Sequence, residues 1–161
     1  MPTKLIKDII LKLALKHQTL AVAESCTGGG LSDYLTKQPG VSQVFLGGVT
    51  TYANSAKENI LHIPKAIIGK HGAVSQQVAE LMAQNCLKLF SSTWALSTTG
   101  IAGPAGGTAN KPVGTVWIGL AGPDILFSRH FVFNNATRLQ HRKLCIESAL
   151  SMLLTATSSE E

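Results

Sequence analysis

The sequence is poor in charged and aromatic side chains and contains no long apolar run. Charged residues make up 14% and aromatic residues 6% of the 161 residues, against 45% hydrophobic residues. This composition is typical of a folded domain with a core rather than of a disordered chain. The scarcity of aromatic rings argues against a stacking platform for single-stranded nucleic acid. No segment approaches the ~18 apolar residues that a membrane span needs, so we expect no membrane contact.

Cysteines are also few, and their spacing is not that of metal ligands. Cys26, Cys86 and Cys145 form no CxxC pair and are odd in number, so neither a disulfide framework nor a zinc site is predicted. None of the five histidines lies four residues from another. The N-terminal apolar segment is broken by lysines and is unlike a signal peptide. We therefore expect a soluble, cytoplasmic protein without a metal.

The formal net charge is +5, without long basic runs. A positive field favours an anionic small molecule or nucleic acid, but charge alone does not choose between them.

The hydrophobic periodicity predicts helices alternating with strands. Helices are predicted at residues 4–17, 30–37, 56–61, 76–90 and 137–154, and strands at residues 19–23, 42–52, 94–98, 113–120 and 125–133. A further short helical piece follows Pro64. Crossover connections combined with one hairpin predict a three-layer α/β/α sandwich around a mixed sheet. We expect one domain over residues 1–161, with residues 155–161 as a frayed polar tail.

Three helix starts carry residues suited to capping. Ser75 is expected to cap the long central helix, Asn54-Ser55 the short helix that contains Lys57, and Asn134-Asn135 the last helix. Inside the second predicted strand, the pair Gly47-Gly48 indicates a bulge or a close approach of two backbones.

Residues 20–30 are the most informative stretch. The apolar run ends at Ser25, and three glycines then lead into a helix, which reads as a strand, a tight turn and a helix. Such a turn lets a ligand approach the backbone, and the N–H groups that begin the helix form an anion site. Ser25 would stand at the carboxyl end of the strand, where open α/β sheets bind ligands.

A second glycine-rich loop, residues 100–107, follows the predicted strand that ends at Thr98. If the two strands are parallel neighbours, both loops lie at one edge of the sheet and form a pocket for a phosphorylated ligand. Ser25 is the candidate nucleophile and Lys57 the best candidate base, because a desolvated lysine loses its proton more readily. N–H groups of a glycine loop could form an oxyanion hole.

Taken by themselves, these residues leave other roles open. Ser25 could be only a helix cap, and Lys57 could be a solvated surface lysine. Cys26 could replace Ser25 as the nucleophile, although a cysteine at such a site more often packs in a core. Arg138 and Arg142, one helical turn apart, could bind an anion together or simply solvate the last helix.

Five segments resemble the motifs of the CinA C-terminal domain family, whose characterised members are PncC-type nicotinamide-nucleotide amidohydrolases. They occur in family order and cover nearly the whole chain. The segments are residues 23–29, residues 48–54 with Lys57, residues 71–75, residues 100–104 with Gly106-Gly107, and residues 111–116.

The resemblance implies an α/β/α sandwich that hydrolyses nicotinamide mononucleotide to nicotinate mononucleotide and ammonia. Ser25 is then the nucleophile, Lys57 its base, and Tyr52 a neighbour that orients or shares the proton. The expected substrate-binding residues are Thr27, Gly28, Gly29, Asn54, Thr99, Gly100, Ile101, Ala102, Arg138 and Arg142. His71 is expected to shape its turn, and no role is assigned to the other histidines.

The resemblance implies no metal or other cofactor, and a homo-oligomer, because relatives tend to be oligomers. A nucleic acid partner is not expected. Longer relatives carry a fused N-terminal domain, so the sequence is similar to the stand-alone form.

Two stretches depart from the family pattern. Ala136-Thr137 precedes Arg138 where relatives commonly carry Gly-Asp, and Thr98-Thr99 enters the second glycine loop where relatives often have a small residue followed by serine. The alternative hypothesis is therefore a catalytically silent relative that keeps the nucleotide pocket. A nucleic-acid-associated competence protein is a third possibility, based on the family's name and the mild positive charge.

Overall fold

The computed structural model describes residues 2–158, with side chains from Lys4 onward. Within these residues, six α-helices and five strands follow one another, with a 3₁₀ turn at Val41–Gln43. The helices are α1 (Pro2–Leu15), α2 (Gly30–Thr36), α3 (Asn54–Leu61), α4 (Lys65–His71), α5 (Gln76–Phe90) and α6 (Arg138–Ser158). The strands are β1 (Leu20–Glu24), β2 (Phe45–Thr50), β3 (Trp94–Gly100), β4 (Thr115–Gly122) and β5 (Ile125–Val132).

The five strands form one mixed sheet in the order β2-β1-β3-β4-β5. Strand β1 is parallel to both β2 and β3, whereas β4 and β5 are antiparallel to their neighbours. The carboxyl ends of β1, β2 and β3 therefore meet at one edge. The condition under which the two glycine loops were expected to share an edge, parallel neighbouring strands, is met by β1 and β3. The mixed sheet with helices on both faces confirms the predicted fold class.

Strand β1 shows why the two faces differ. Its side chains alternate, so Leu20 and Val22 pack against the cluster that includes α1 and α6, whereas Ala21 and Ala23 face α5. Larger apolar side chains fill the first layer, and small ones let α5 lie close to the sheet in the second. Among residues 2–158, every helix is too short or too polar to cross a membrane.

The glycine pair in β2 has the predicted effect. The register of β1 against β2 shifts between Leu20 and Ala21, and a Cβ atom on Gly48 would lie 2.5 Å from Val22 Cγ2. The expectation of a bulge or a close backbone approach is confirmed, since the same Cβ atom would lie 3.0 Å from Val22 O. The expectation of a strand over all of residues 42–52 is wrong, because the 3₁₀ turn takes its first residues.

The expectation of a frayed tail from residue 155 is wrong for residues 155–158. Helix α6 continues to Ser158, and Thr157 is buried, with its hydroxyl donating to Leu153 O at 3.0 Å. Packing of α6 against α1 keeps this last turn helical although its sequence is polar. Residues 159–161 lie outside the described part of the chain.

Two of the three predicted caps are also wrong, whereas Ser75 accepts from Val78 N as expected. Helix α3 begins at Asn54 itself, after Ala53, and has no side-chain cap. Helix α6 is capped by Thr137 rather than by Asn134-Asn135. Thr137 Oγ1 accepts from Gln140 N at 3.3 Å, and Gln140 Oε1 accepts from Thr137 N at 2.7 Å. These two bonds form a capping box.

Candidate functional site

The site is built where three parallel strands end. The turn after β1 carries Ser25, the segment after β2 carries Thr51 and Tyr52, and β3 carries a threonine pair just before Gly100, where the second glycine loop begins. Ser25 N donates to Thr98 O at 3.0 Å, which ties the serine turn to β3. The parallel register therefore brings together segments that are far apart in sequence.

Ser25 is followed by a tight turn that is closed by a hydrogen bond from Gly28 N to Ser25 O, 3.0 Å. Gly28 and Gly29 have φ of +58° and +90°, a region that favours glycine. Within residues 2–158, the N–H groups of Cys26 and Thr27 donate to no other residue. Thr27 is fully buried and Cys26 nearly so, and both N–H groups lie in the turn that directly follows Ser25.

Lys57 reaches Ser25 from helix α3. Its amine nitrogen lies 3.0 Å from Ser25 Oγ, 2.8 Å from Thr51 O and 3.2 Å from Tyr52 O. The residue is 1% exposed. An uncharged amine has two N–H donors and one lone pair, so it satisfies both carbonyl oxygens and still presents its lone pair to the Ser25 hydroxyl.

Burial lowers the pKa of Lys57, whereas the Cys26 thiol nearby acts in the opposite direction. Desolvation is the larger effect, because it penalises the charged ammonium. The amine is thereby moved toward the uncharged form that can accept a proton. The alternative reading of Lys57 as a solvated surface lysine is wrong.

Tyr52 contacts Lys57 through its main chain, and its phenol is turned elsewhere. The phenol oxygen accepts from Arg138 Nη2 at 2.9 Å, and the residue is 57% exposed. Arg138 Nη1 also donates to Gly103 O at 2.7 Å. The Tyr52 phenol is thus hydrogen bonded to Arg138 and not to Lys57, so the predicted sharing of a proton has no contact in this structure. Instead, Arg138 connects Tyr52 to the second glycine loop.

Glu24 has a role that the sequence reading missed. This fully buried carboxylate accepts from Leu31 N and Ser32 N, at 2.9 and 2.8 Å, and from the hydroxyls of Thr27 and Ser32. The N–H groups at the start of α2 are therefore occupied, and the expectation of a free anion site there is wrong. The sequence does contain a signal for this role. A glutamate precedes a helix whose N-cap residue, Gly29, has no side chain to accept from the first N–H groups.

Thr27 and Thr99 are placed near the site, but their side chains bond within the protein. The Thr27 hydroxyl donates to Glu24 and lies 2.8 Å from Thr98 Oγ1, and Thr99 Oγ1 donates to Ala73 O at 2.8 Å. Both residues are almost completely buried. They shape the loops around Ser25 and offer no free hydroxyl to a ligand.

The second glycine loop is fixed mainly through its backbone. Ile101 N donates to Thr115 O at 2.8 Å, and Ile101 O accepts from Gly114 N at 2.7 Å. A Cβ atom on Gly100 would lie 2.8 Å from Thr115 O, so only glycine fits there. Ala102 O lies 2.8 Å from His141 Nδ1, a contact that no sequence motif indicated.

Arg142 is held against the first turn, and Asn54 stays exposed. Arg142 donates to Thr27 O from Nη2 at 2.7 Å and from Nε at 3.3 Å. Its Nη2 would also lie 3.6 Å from a Cβ atom on Gly28. Asn54 begins α3 at the surface. Arg138 and Arg142 thus each hydrogen bond to a loop beside Ser25, and their binding of an anion stays a prediction.

The amine of Lys57 is hydrogen bonded to Ser25 and not to Cys26. The Cys26 side chain belongs to the buried core cluster, whereas Ser25 Oγ is hydrogen bonded to the amine. A hydrogen bond with Cys145 lowers the pKa of the Cys26 thiol, against the effect of burial. The geometry favours Ser25 over Cys26.

Fold and site together define a class: an α/β/α sandwich that presents a buried serine–lysine pair beside two glycine-rich loops. The model of the CinA C-terminal domain matches residues 2–157. The chain belongs to this family.

Curated relatives agree with this assignment. A CinA-like protein of Prochlorococcus marinus (strain NATL2A) is 49% identical over 150 residues, which cover 92% of this chain and 35% of the relative. A putative competence-damage inducible protein of Caldanaerobacter subterraneus subsp. tengcongensis is 45% identical over 86% of this chain and 34% of its own length. The chain thus spans about a third of the curated relatives it matches.

Solved structures share the fold over nearly the whole chain. The competence/damage inducible protein CihA from Agrobacterium tumefaciens superposes with a TM-score of 0.93 and 34% identity, covering 96% of this chain and 94% of that one. A CinA superfamily protein from Klebsiella pneumoniae 700603 superposes with a TM-score of 0.94 and 26% identity, covering 99% of each chain.

Proposed function

We propose that this domain is an amidohydrolase that converts nicotinamide mononucleotide and water to nicotinate mononucleotide and ammonia. The single observation that carries the proposal is the buried Lys57 amine, 3.0 Å from Ser25 Oγ and held by two carbonyl oxygens. This arrangement supports the activation of a serine nucleophile by an adjacent base. The substrate comes from the family resemblance.

In the first half of the reaction, Lys57 takes the proton of the Ser25 hydroxyl as Oγ attacks the carboxamide carbon. The negative charge that develops on the carboxamide oxygen is held by the N–H groups of Cys26 and Thr27. Protonated Lys57 then gives the proton to the leaving nitrogen, the carbon–nitrogen bond breaks, and ammonia departs. The nicotinate group is left as an ester on Ser25.

In the second half, a water molecule gives a proton to Lys57 and attacks the ester carbon. The same two N–H groups hold the second oxyanion. Ser25 Oγ leaves and recovers the proton from Lys57, which releases nicotinate mononucleotide and restores the resting site. One lysine thus serves as acid and base in both halves.

The mononucleotide phosphate needs a cation that is not already paired with a carboxylate. Arg138 fits, since its exposed guanidinium contacts only uncharged oxygens, Tyr52 Oη and Gly103 O, among the residues described. A guanidinium offers five N–H donors and binds phosphate in a bidentate manner. Because Glu24 occupies the start of α2, we place the phosphate at Arg138 rather than at that helix.

The test is ammonia release from nicotinamide mononucleotide by purified protein. Ser25→Ala should lower kcat at least about a thousandfold while the far-ultraviolet spectrum stays unchanged. Cys26→Ala is the matched control, since it removes the neighbouring thiol and should keep most of the activity. Full activity in Ser25→Ala, or loss only in Cys26→Ala, would contradict the assignment of the nucleophile.

The same assay distinguishes an active enzyme from a catalytically silent relative. If wild-type protein releases no ammonia while the mononucleotide still raises its melting temperature, the pocket binds without turnover. That pair of results would replace the enzyme proposal by a nucleotide-binding one.

A further inference from the structure

Two of the five segments that resemble the family, residues 71–75 and residues 111–116, have no part in the proposed reaction. The structure joins them through one hydrogen bond, in which Lys111 Nζ donates to His71 O at 2.8 Å. His71 is the last residue of α4. The final carbonyl oxygens of a helix lack partners within the helix, and a lysine side chain is a suitable donor to them.

Two features direct Lys111 toward the end of α4. Its main chain closes a turn with Thr108, because Lys111 N donates to Thr108 Oγ1 at 3.1 Å and Thr108 N donates to Lys111 O at 2.8 Å. Gly72, which follows α4, leaves room for the amine, since a Cβ atom there would lie 2.8 Å from Lys111 Nζ. Lys111 itself is half-exposed.

The same bond means that the chain from Gly100 to Lys111 is held on both faces of the sheet. On one face, Arg138 of α6 donates to Gly103 O at 2.7 Å. On the other face, Lys111 is bound to the end of α4. Helices α6 and α4 belong to the two separate core clusters on either side of the sheet. The second glycine loop therefore spans the sheet edge at which Ser25 lies.

The connection from α4 to α5, residues 72–75, stands on the same face of the sheet as Lys57. Ala73 O accepts from Thr99 Oγ1 at 2.8 Å, near the end of β3. Ala73 also packs against the core cluster that contains Leu61, the last residue of the helix that carries Lys57. This connection thus borders the site from the side opposite to α6.

We propose that Lys111 is a positioning residue for the substrate. Its hydrogen bond to His71 O, the Lys111 clamp, fixes the second glycine loop and the α4–α5 connection as two walls of the pocket at Ser25. Residues 104–110, between the two anchors, are exposed and include two glycines, so this segment moves once an anchor is lost. A loop that moves in the free protein must be ordered on binding, which costs affinity. The effect on affinity rests on the proposed function.

Hydrogen exchange of the ligand-free protein tests the clamp without any assay of activity. In Lys111→Met, amides of residues 68–72 and of residues 101–114 should exchange roughly tenfold faster than in wild type, as for the loss of one hydrogen bond to a charged group. Lys70→Met is the matched control, because it removes an exposed lysine from the same end of α4. Unchanged exchange in Lys111→Met, or equal acceleration in both variants, would overturn the proposal.

The division between KM and kcat tests the effect on the substrate. KM of Lys111→Met should rise roughly tenfold, because ordering of the loop is added to binding. The value of kcat should stay within about threefold, because Ser25 and Lys57 are untouched. Lys111→Arg keeps a donor at this position and should recover most of the lost affinity, and Lys70→Met should keep the KM of wild type.

The two measurements together separate the clamp from other roles. A raised KM with unchanged exchange would mean that Lys111 contacts the ligand directly, which would overturn the clamp. A loss confined to kcat would contradict it as well. A wild type that releases no ammonia would instead contradict the proposed function, and hydrogen exchange would then decide the clamp alone.

Discussion

Burying a charged lysine side chain costs free energy, and Lys57 is almost fully buried. Its amine is nearly inaccessible to solvent, and within residues 2–158 its hydrogen-bond partners are uncharged oxygens. An ammonium without a carboxylate partner is disfavoured in such a place. Burial lowers the pKa of Lys57 and so favours the neutral amine, the state that a general base requires.

The first prediction concerns the pH dependence of stability. Burial lowers the pKa of Lys57, so the folded protein holds this proton less tightly than the unfolded chain, whose lysine titrates near ~10.4. Stability therefore rises with pH through the folded pKa and up to the unfolded value. Lys57→Met removes this contribution. We compare the two proteins by subtracting the free energy of unfolding of wild type from that of Lys57→Met. This difference should fall by about 1.4 kcal/mol for each pH unit in the range where the lysine is protonated in the unfolded chain but not in the folded protein.

Urea unfolding at a series of pH values between 7 and about 10 measures this difference. Lys88→Met, at an exposed position of α5, is the matched control and should show a nearly flat difference. A flat difference for Lys57→Met as well would mean that the buried amine keeps its proton over the whole range.

At the scale of elements, two helices on one face of the sheet have N-termini that are capped differently. Helix α2 has Gly29 at its cap position and takes its acceptor from Glu24 at the end of β1. Helix α6 is capped locally by the reciprocal bonds of Thr137 and Gln140. Thr137 stands where the family commonly has aspartate. The replacement keeps a capping residue, because a threonine and an aspartate side chain can each accept from the N–H groups of the first turn.

The second prediction follows from this cap. Thr137→Ala should lower the free energy of unfolding by about 1 kcal/mol, since it leaves the N–H of Gln140 without its acceptor. Thr137→Asp restores the family residue and should keep stability within about 0.5 kcal/mol of wild type, with KM unchanged. Thermal and denaturant unfolding measure the stability of both variants, and the ammonia assay measures KM of Thr137→Asp. A large gain in affinity in Thr137→Asp would show instead that the departure had weakened ligand binding.

At the scale of the whole molecule, the separation between α5 and the sheet is set by small residues. Ala21, Ala23 and Ala95 face α5, and a Cβ atom on Gly119 of β4 would overlap Ala79 O of α5 and Ser97 Oγ. Ser97 Oγ also donates to Ala79 O at 2.6 Å and accepts from Gly119 N at 3.2 Å. Helix and sheet are thus joined at a point where no side chain fits between them.

The third prediction compares two glycines. Gly119→Ala should lower the free energy of unfolding by about 1–3 kcal/mol or more, because neither the α5 backbone nor β3 can move without loss of packing. Gly69→Ala, in α4 with nothing within 4 Å of the added carbon, should raise it by about 0.5–1 kcal/mol. Chemical denaturation of both variants measures the contrast. Equal effects of the two substitutions would contradict the close packing of α5.

The sequence by itself determined what depends on neighbours along the chain. The alternation of apolar residues predicted the order of helices and strands, and the glycines around Ser25 predicted a tight turn at the end of β1. The hairpin between β4 and β5 and the helix start at Ser75 were likewise local, since a turn or a cap involves only a few consecutive residues. Helix ends were less predictable where packing decided them, as at residues 155–158.

The tertiary structure decided which side chains meet. Lys57 and Ser25 are 32 residues apart, and only the parallel pairing of β1 with β2 places the amine beside the hydroxyl. The same holds for Glu24, which fills the helix start expected to hold an anion. It holds again for His141, whose two carbonyl partners come from a loop and a strand end that no periodicity connects. Such contacts depend on sheet register and on packing between layers, and a pattern read along one chain contains neither.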